Sequence, residues 1–319
     1  MSRVLGNPEK ARKTRWLVAT LTVTAIAIAA CGGGDHDENN AAGTSDAADE
    51  LARSSEQIDI GGRSLHLQCW GERVAGEPTV LLISGQGPLT SSWDLMASEL
   101  AADDHHLCAY DRAGVGSSDP APEASRTTED QVTDLVMLLD SVDLQEPVVL
   151  AAHSLGSLPA VGLVDRAPER VAGVVLIDPW LPRLSAAQRA ALPPKKPDEP
   201  PKLTDERRFL NDNLFDPAQN PEHLLLAACD DEVARLLDEP GPIFGDLPVV
   251  VLRAPPLPPL PWLPRGFHAA TLAAMSDGYR EFAAESTRGT LIEVEDTGHN
   301  IQDDQPEVVM DAIRDVMAG

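Results

Sequence analysis

Pro147-Val148-Val149-Leu150-Ala151-Ala152-His153-Ser154-Leu155-Gly156 carries an apolar run straight into a serine set among small residues. Consecutive apolar residues ending at such a turn read as a strand buried on both faces, and the small, helix-compatible residues after Gly156 read as the start of a helix. A serine between the two sits on a strained strand-to-helix turn, where small neighbours let the backbone bend sharply. Ser154 is therefore the candidate nucleophile. Pentapeptides of this composition recur by chance, so the weight of the reading comes from three further features in chain order.

Upstream, Pro78-Thr79-Val80-Leu81-Leu82-Ile83 reads as a buried strand running into Ser84-Gly85-Gln86-Gly87. The backbone amide of Gln86, paired with that of Leu155, is placed to hold the negative oxygen of a tetrahedral intermediate. Next, a short apolar strand around Leu107-Cys108-Ala109 leads into Tyr110-Asp111-Arg112-Ala113-Gly114-Val115-Gly116-Ser117-Ser118, a glycine-bearing loop in which Asp111 and Arg112 are expected to form a local ion pair and loop hydrogen bonds. Near the carboxyl end, the strand Leu291-Ile292-Glu293-Val294-Glu295 is followed by Asp296-Thr297-Gly298-His299-Asn300. A serine hydroxyl is a poor nucleophile at its own pKa and needs a base within reach. Of the eight histidines, His299 alone has this placement after a late strand. His153, inside the turn, is read as a packing residue.

With these features the chain, from about residue 58 onward, resembles the α/β-hydrolase fold family, and in particular its small serine esterase-like members. The resemblance implies a mostly parallel eight-stranded sheet with helices on both faces, a Ser-His-acid triad, and a helical lid inserted after the sixth strand. The sequence departs from the family pattern at Ala152, where glycine is commonest, and at Ser84, where histidine usually precedes the oxyanion glycine. In the family the acid usually follows the seventh strand, here Leu247-Pro248-Val249-Val250-Val251-Leu252, yet residues 253–275 contain no Asp or Glu. Some members carry it after the sixth strand, which here ends in Leu176-Ile177-Asp178-Pro179. Asp178 is thus the expected acid, with Asp277 as the alternative. The resemblance also makes the strands of Cys69 and Cys108 neighbours, which allows a disulfide in an oxidising compartment or, alternatively, two buried thiols. Cys229 is read as free. No metal or organic cofactor is called for, and the histidines and cysteines show no zinc-like spacing.

The amino end carries Arg3, Lys10, Arg12, Lys13 and Arg15 before an apolar stretch, residues 16–30, that is short for a membrane span and ends in Ile28-Ala29-Ala30-Cys31. This looks like a bacterial lipobox, with Cys31 lipidated, as against an uncleaved anchor or a chance cysteine. The expected organisation is a lipoprotein signal peptide (1–30), a flexible Gly-rich and polar tether (31–55), a hydrolase core (56–180 and 246–319) and a lid (181–245), with the catalytic domain outside the cell membrane. Removing residues 1–30 deepens the net charge from −26 to −30. Such a surface repels nucleic acid and anionic headgroups and suits solubility or a salty medium.

Within the lid, Phe209, Leu210, Leu214, Phe215, Leu224, Leu225 and Leu226 either line an acyl pocket or pack the lid onto the core. A proline-rich run, residues 255–264, is expected to wall the entrance, with Trp262 as an anchor. The functional expectation is cleavage of a small carboxylic ester with an apolar acyl or alcohol part. Acyl transfer or peracid formation by the same triad, and a surface-anchored binding protein without catalysis, are the alternatives.

Overall fold

Three strands buried on both faces anchor the molecule: β3 (Val80–Ile83), β5 (Val148–His153) and β6 (Val171–Ile177). Their near-continuous Val, Leu, Ile and Ala content follows from helices covering both sides of a parallel sheet, which leaves no solvent face for polar alternation. The computed structural model of the protein describes residues 53–319 except 88, 89, 123, 143, 145 and 257. The expected signal segment, Cys31 and most of the expected tether fall outside these described residues.

Adding β1 (Arg53–Asp59), β2 (Ser64–Trp70), β4 (Leu107–Tyr110), β7 (Gly245–Arg253) and β8 (Ser286–Glu293) gives an eight-stranded sheet in the order β1-β2-β4-β3-β5-β6-β7-β8. Only the β1–β2 and β2–β4 pairings are antiparallel, so the mostly parallel sheet expected from the sequence is the one found. The tether was expected to reach residue 55, but Arg53, Ser54 and Ser55 already pair with Trp70, Cys69 and Gln68. This exposed edge strand has no apolar alternation to betray it; its ladder to β2 holds it.

Side-chain alternation splits the core into two layers. Leu81, Ile83, Leu150, Ala152, Val174 and Leu176 face α2 (Thr128–Ser141) and α3 (Ser157–Arg166). Val80, Leu82, Val149, Ala151, Val175 and Ile177 face α1 (Asp94–Ala102) and, near the carboxyl end, the partner helix that carries Val309, Ile313 and Val316. A capping box opens α2, with the Thr127 amide donating to the Asp130 carboxylate at 2.9 Å.

Between β6 and β7 lie α4 (Leu184–Ala191), α5 (Pro201–Asn211) and α6 (Leu226–Leu237). Of these, α4, whose Leu184-Ser185-Ala186-Ala187-Gln188-Arg189 has too few apolar positions to mark a period, carries the weakest sequence signal. α7 (Arg265–Ala284) links β7 to β8, and α8 (Ile301–Asp304) and α9 (Pro306–Met317) close the chain, α9 being the second cover of the Val80 layer. Among the described residues no helix is long and apolar enough to cross a membrane.

Candidate active site

β5 ends at His153, and Ser154 follows with φ +49°, a left-handed backbone that is costly for any residue but glycine. The turn is that tight because it is pressed against the loop after β3. A Cβ on Gly156 would lie 2.5 Å from the Ile83 carbonyl oxygen, and one on Gly85 would lie 3.0 Å from the Ser154 Cβ. Only glycines permit this approach. The loop carrying Gln86 therefore lies directly beside the serine, and Leu155 follows it, buried.

His299 Nε2 lies 2.9 Å from Ser154 Oγ, and its Nδ1 lies 2.5 Å from Asp178 Oδ2. Asp178 is 4% exposed and also sits at positive φ, +40°, directly after β6. Its Oδ1 accepts from the Ala254 amide at 3.1 Å and from the Tyr279 hydroxyl at 2.5 Å. With Nδ1–H donated to the carboxylate, the Nε2 lone pair of His299 faces the serine hydroxyl. The geometry brings Ser154, His299 and Asp178 together and leaves out the alternative acid. Asp277 is exposed on α7, with Arg280 at 3.7 Å.

The loop bearing His299 is held at both ends. Asp304 accepts from the Gly298 amide at 2.9 Å, and His153 Nε2–H donates to the His299 carbonyl at 3.0 Å. His153 is thus more than the packing residue read from the sequence: the elbow tethers the loop that supplies its own candidate base. Burial, with His299 beside it, pushes the His153 pKa down to about 4, which keeps it neutral. The turn after β6 is fixed similarly, since the Trp180 amide donates to the Ser154 carbonyl at 3.0 Å and the indole donates to Asp230 of α6 at 2.8 Å.

Asp111 and Arg112 do not pair with each other as expected. Arg112 makes a bidentate pair with Glu222 of the inserted segment, at 2.7 and 2.9 Å, and donates to the Ser84 and Gly85 carbonyls. Asp111 accepts from the Thr90 and Ser117 amides, both at 2.9 Å. The long-range partner wins because all of these groups are buried and Glu222 offers two oxygens to one guanidinium. Glu222 lies 110 residues away, and no sequence signal links the two.

Cys69 and Cys108 face each other in register and are bonded, with S–S 2.06 Å. They stand with His106 in the single group of potential metal ligands among the described residues, atoms within 4.8 Å of one another, which sequence spacing did not reveal. Their sulfurs, being bonded to each other, are not thiolates and do not fit a metal. Cys229 is free and buried, its thiol pushed up to about 12 by burial.

A cavity opens from Ser154, Asp178 and His299 between the sheet edge and the inserted helices, its walls mostly apolar: Trp180, Leu184, Phe209, Trp262, Phe267 and Met275. Trp262 therefore stands where expected. Of the seven lid residues left between lining a pocket and packing onto the core, Phe209 lines the cavity, Leu210, Leu214, Leu224 and Leu226 pack in the core, and Phe215 is exposed under the Arg189 guanidinium. Tyr279 and Glu206 also reach this cavity, and the sequence reading named neither.

The profile of the Alpha/beta hydrolase family matches residues 80–312, and the chain belongs to that family. A protein of Variovorax paradoxus named as a candidate carbamate hydrolase, RutD, is 34% identical over 116 residues, which make up 36% of this chain and 42% of that one. The chain thus aligns with about two fifths of that relative's length. YqjL of Bacillus subtilis, an uncharacterized protein, is 23% identical over 75% of this chain and 83% of its own. Among solved structures, a thermophilic esterase from Thermogutta terrifontis superposes with a TM-score of 0.55 at 20% identity, covering 84% of this chain and 98% of the esterase. This last likeness shows the fold.

Proposed function

We propose that the protein is a serine hydrolase that cleaves a carboxylic ester through an acyl-enzyme. The carrying observation is the unbroken relay from Ser154 through His299 to the buried Asp178, placed at the mouth of an apolar cavity. His299 Nε2 takes the proton from Ser154 as its Oγ attacks the ester carbonyl. The amides of Gln86 and Leu155 hold the oxygen that becomes negative, a reading supported by the close packing of the Gly85 loop on the serine. The imidazolium then gives its proton to the departing alcohol, and water releases the acyl group by the same route. Asp178 keeps the imidazole in the required tautomer and stabilises its charged form. Tyr279 and the Ala254 amide hold the carboxylate in line.

Turnover of a p-nitrophenyl ester series by the wild type, with an acyl adduct on Ser154 detected by mass spectrometry after rapid quenching, tests the reading. Hydrolysis that persists in the Ser154→Ala variant would overturn it.

The site is further proposed to work outside the cell membrane, held by lipid on Cys31. The basic segment, short apolar stretch and Ile28-Ala29-Ala30-Cys31 support this. Metabolic labelling with a fatty-acid analogue that is lost in Cys31→Ser is the expected result.

A further inference from the structure

Glu206, on α5, lines the same cavity as Ser154 and His299 and is only 5% exposed. No described residue gives it a hydrogen bond or an ion pair. Of the other ionisable groups that line this cavity, Asp178 is bound by His299, Tyr279 and the Ala254 amide, and the His268 side chain makes no hydrogen bond or ion pair with Glu206; the nearby Arg207 is turned to Glu199. Burial alone, with no compensating charge, pushes the Glu206 carboxyl up to about 7. A buried carboxylate without a partner is costly to keep, and a second glutamate in this same insertion, Glu222, shows the ordinary solution, a bidentate arginine.

We propose that Glu206 is the binding residue for an ammonium group carried on the otherwise aliphatic acyl part of the substrate. Three features point to a cation. An ionised carboxylate only accepts hydrogen bonds, so its natural ligand is a donor, and a charged donor most of all. Trp180, Phe209 and Phe267 bring aromatic rings to the same cavity, and such faces favour ammonium groups, as the Lys202 ammonium 5.9 Å from the centre of the Trp262 ring illustrates. The chain carries 51 acidic against 25 basic residues, a field that draws cations and repels anionic substrates. The apolar remainder of the wall accounts for the aliphatic portion.

The proposal rests on the hydrolase reading above, and its test separates the two. Two isosteric esters, p-nitrophenyl 6-aminohexanoate and p-nitrophenyl heptanoate, differ by an ammonium in place of a terminal methyl. At pH 8 the wild type is expected to prefer the amino ester in kcat/KM. Glu206→Gln should lower kcat/KM for the amino ester about 100-fold, chiefly through KM, and raise it for heptanoate about 3-fold, so that the preference reverses. A wild type that prefers heptanoate, or a variant that loses both esters equally, overturns the proposal.

If neither ester is hydrolysed, the hydrolase reading fails instead, and binding to Ser154→Ala decides the matter. Calorimetry should give hexylammonium about 10-fold or more tighter binding than hexanol, a difference abolished by adding Glu206→Gln. Equal binding of the two ligands with Glu206 in place overturns the proposal without any appeal to turnover.

Discussion

The inserted segment between β6 and β7 holds two buried glutamates in opposite circumstances. Glu222 is locked to Arg112, which in turn holds the carbonyls of the Ser84-Gly85 loop, whereas Glu206 faces the cavity with no partner. The same contrast separates the two sides of the site. On the sheet side every polar group of the relay is held: Asp178 by three donors, the His299 loop by Asp304 and His153, and the serine turn by glycine contacts. On the insertion side the wall is apolar apart from a few groups. A fully satisfied charge builds a scaffold; an unsatisfied one facing a cavity is available to a ligand.

The sheet side is expected to show the largest effects. Ser154→Ala and His299→Ala should each lower kcat by about 10⁴- to 10⁶-fold in steady-state ester hydrolysis, with unchanged melting temperatures. Asp178→Asn should cost about 10⁴-fold, while Asp277→Asn, on the exposed face of α7, should match the wild type. Equal losses from the two aspartates would break the assignment of the acid.

The satisfied glutamate should show itself in stability. Arg112→Ala strands Glu222 in the interior and should cost about 3–5 kcal/mol in denaturant unfolding, whereas removing both charges together should cost less than the sum. The unsatisfied one should do the reverse. With the folded carboxyl at about 7 against an ordinary 4.5, the protein loses stability as the pH rises between those values. Glu206→Gln should therefore match the wild type near pH 4 and exceed it at pH 8 by on the order of 3 kcal/mol at most. The smallest effect is expected of Trp262→Ala, a several-fold rise in KM for long-chain esters with little change in kcat.

The features legible in the sequence are those that local chemistry announces. The elbow, the strands of continuous apolar residues and the late histidine are each encoded within a few neighbouring positions, and Asp178, at the end of β6, is the acid that the family resemblance implied with residues 253–275 lacking Asp and Glu. What escaped was long-range or unpatterned. β1 is an exposed edge whose only signal is its partner strand, and Arg112 and Glu222 lie 110 residues apart. Tyr279 reads in sequence as one more aromatic on an amphipathic helix until its hydroxyl is seen on Asp178 Oδ1. Glu206 sits in a run of charged residues, Asp205-Glu206-Arg207-Arg208, where nothing local distinguishes the buried member from the half-buried Arg207 and the exposed Asp205 and Arg208. The choice between lining and packing for the lid leucines stayed open for the same reason, since hydrophobicity marks burial but not which side of a helix meets a cavity.

The central claim is that Ser154 is an activated nucleophile. It is tested most directly by treating the purified protein with a fluorophosphonate probe and mapping the adduct by peptide mass spectrometry. A single adduct on Ser154, absent after denaturation before treatment and absent in His299→Ala, is the predicted result. A folded wild type left unlabelled, or labelled on another residue, would contradict the account.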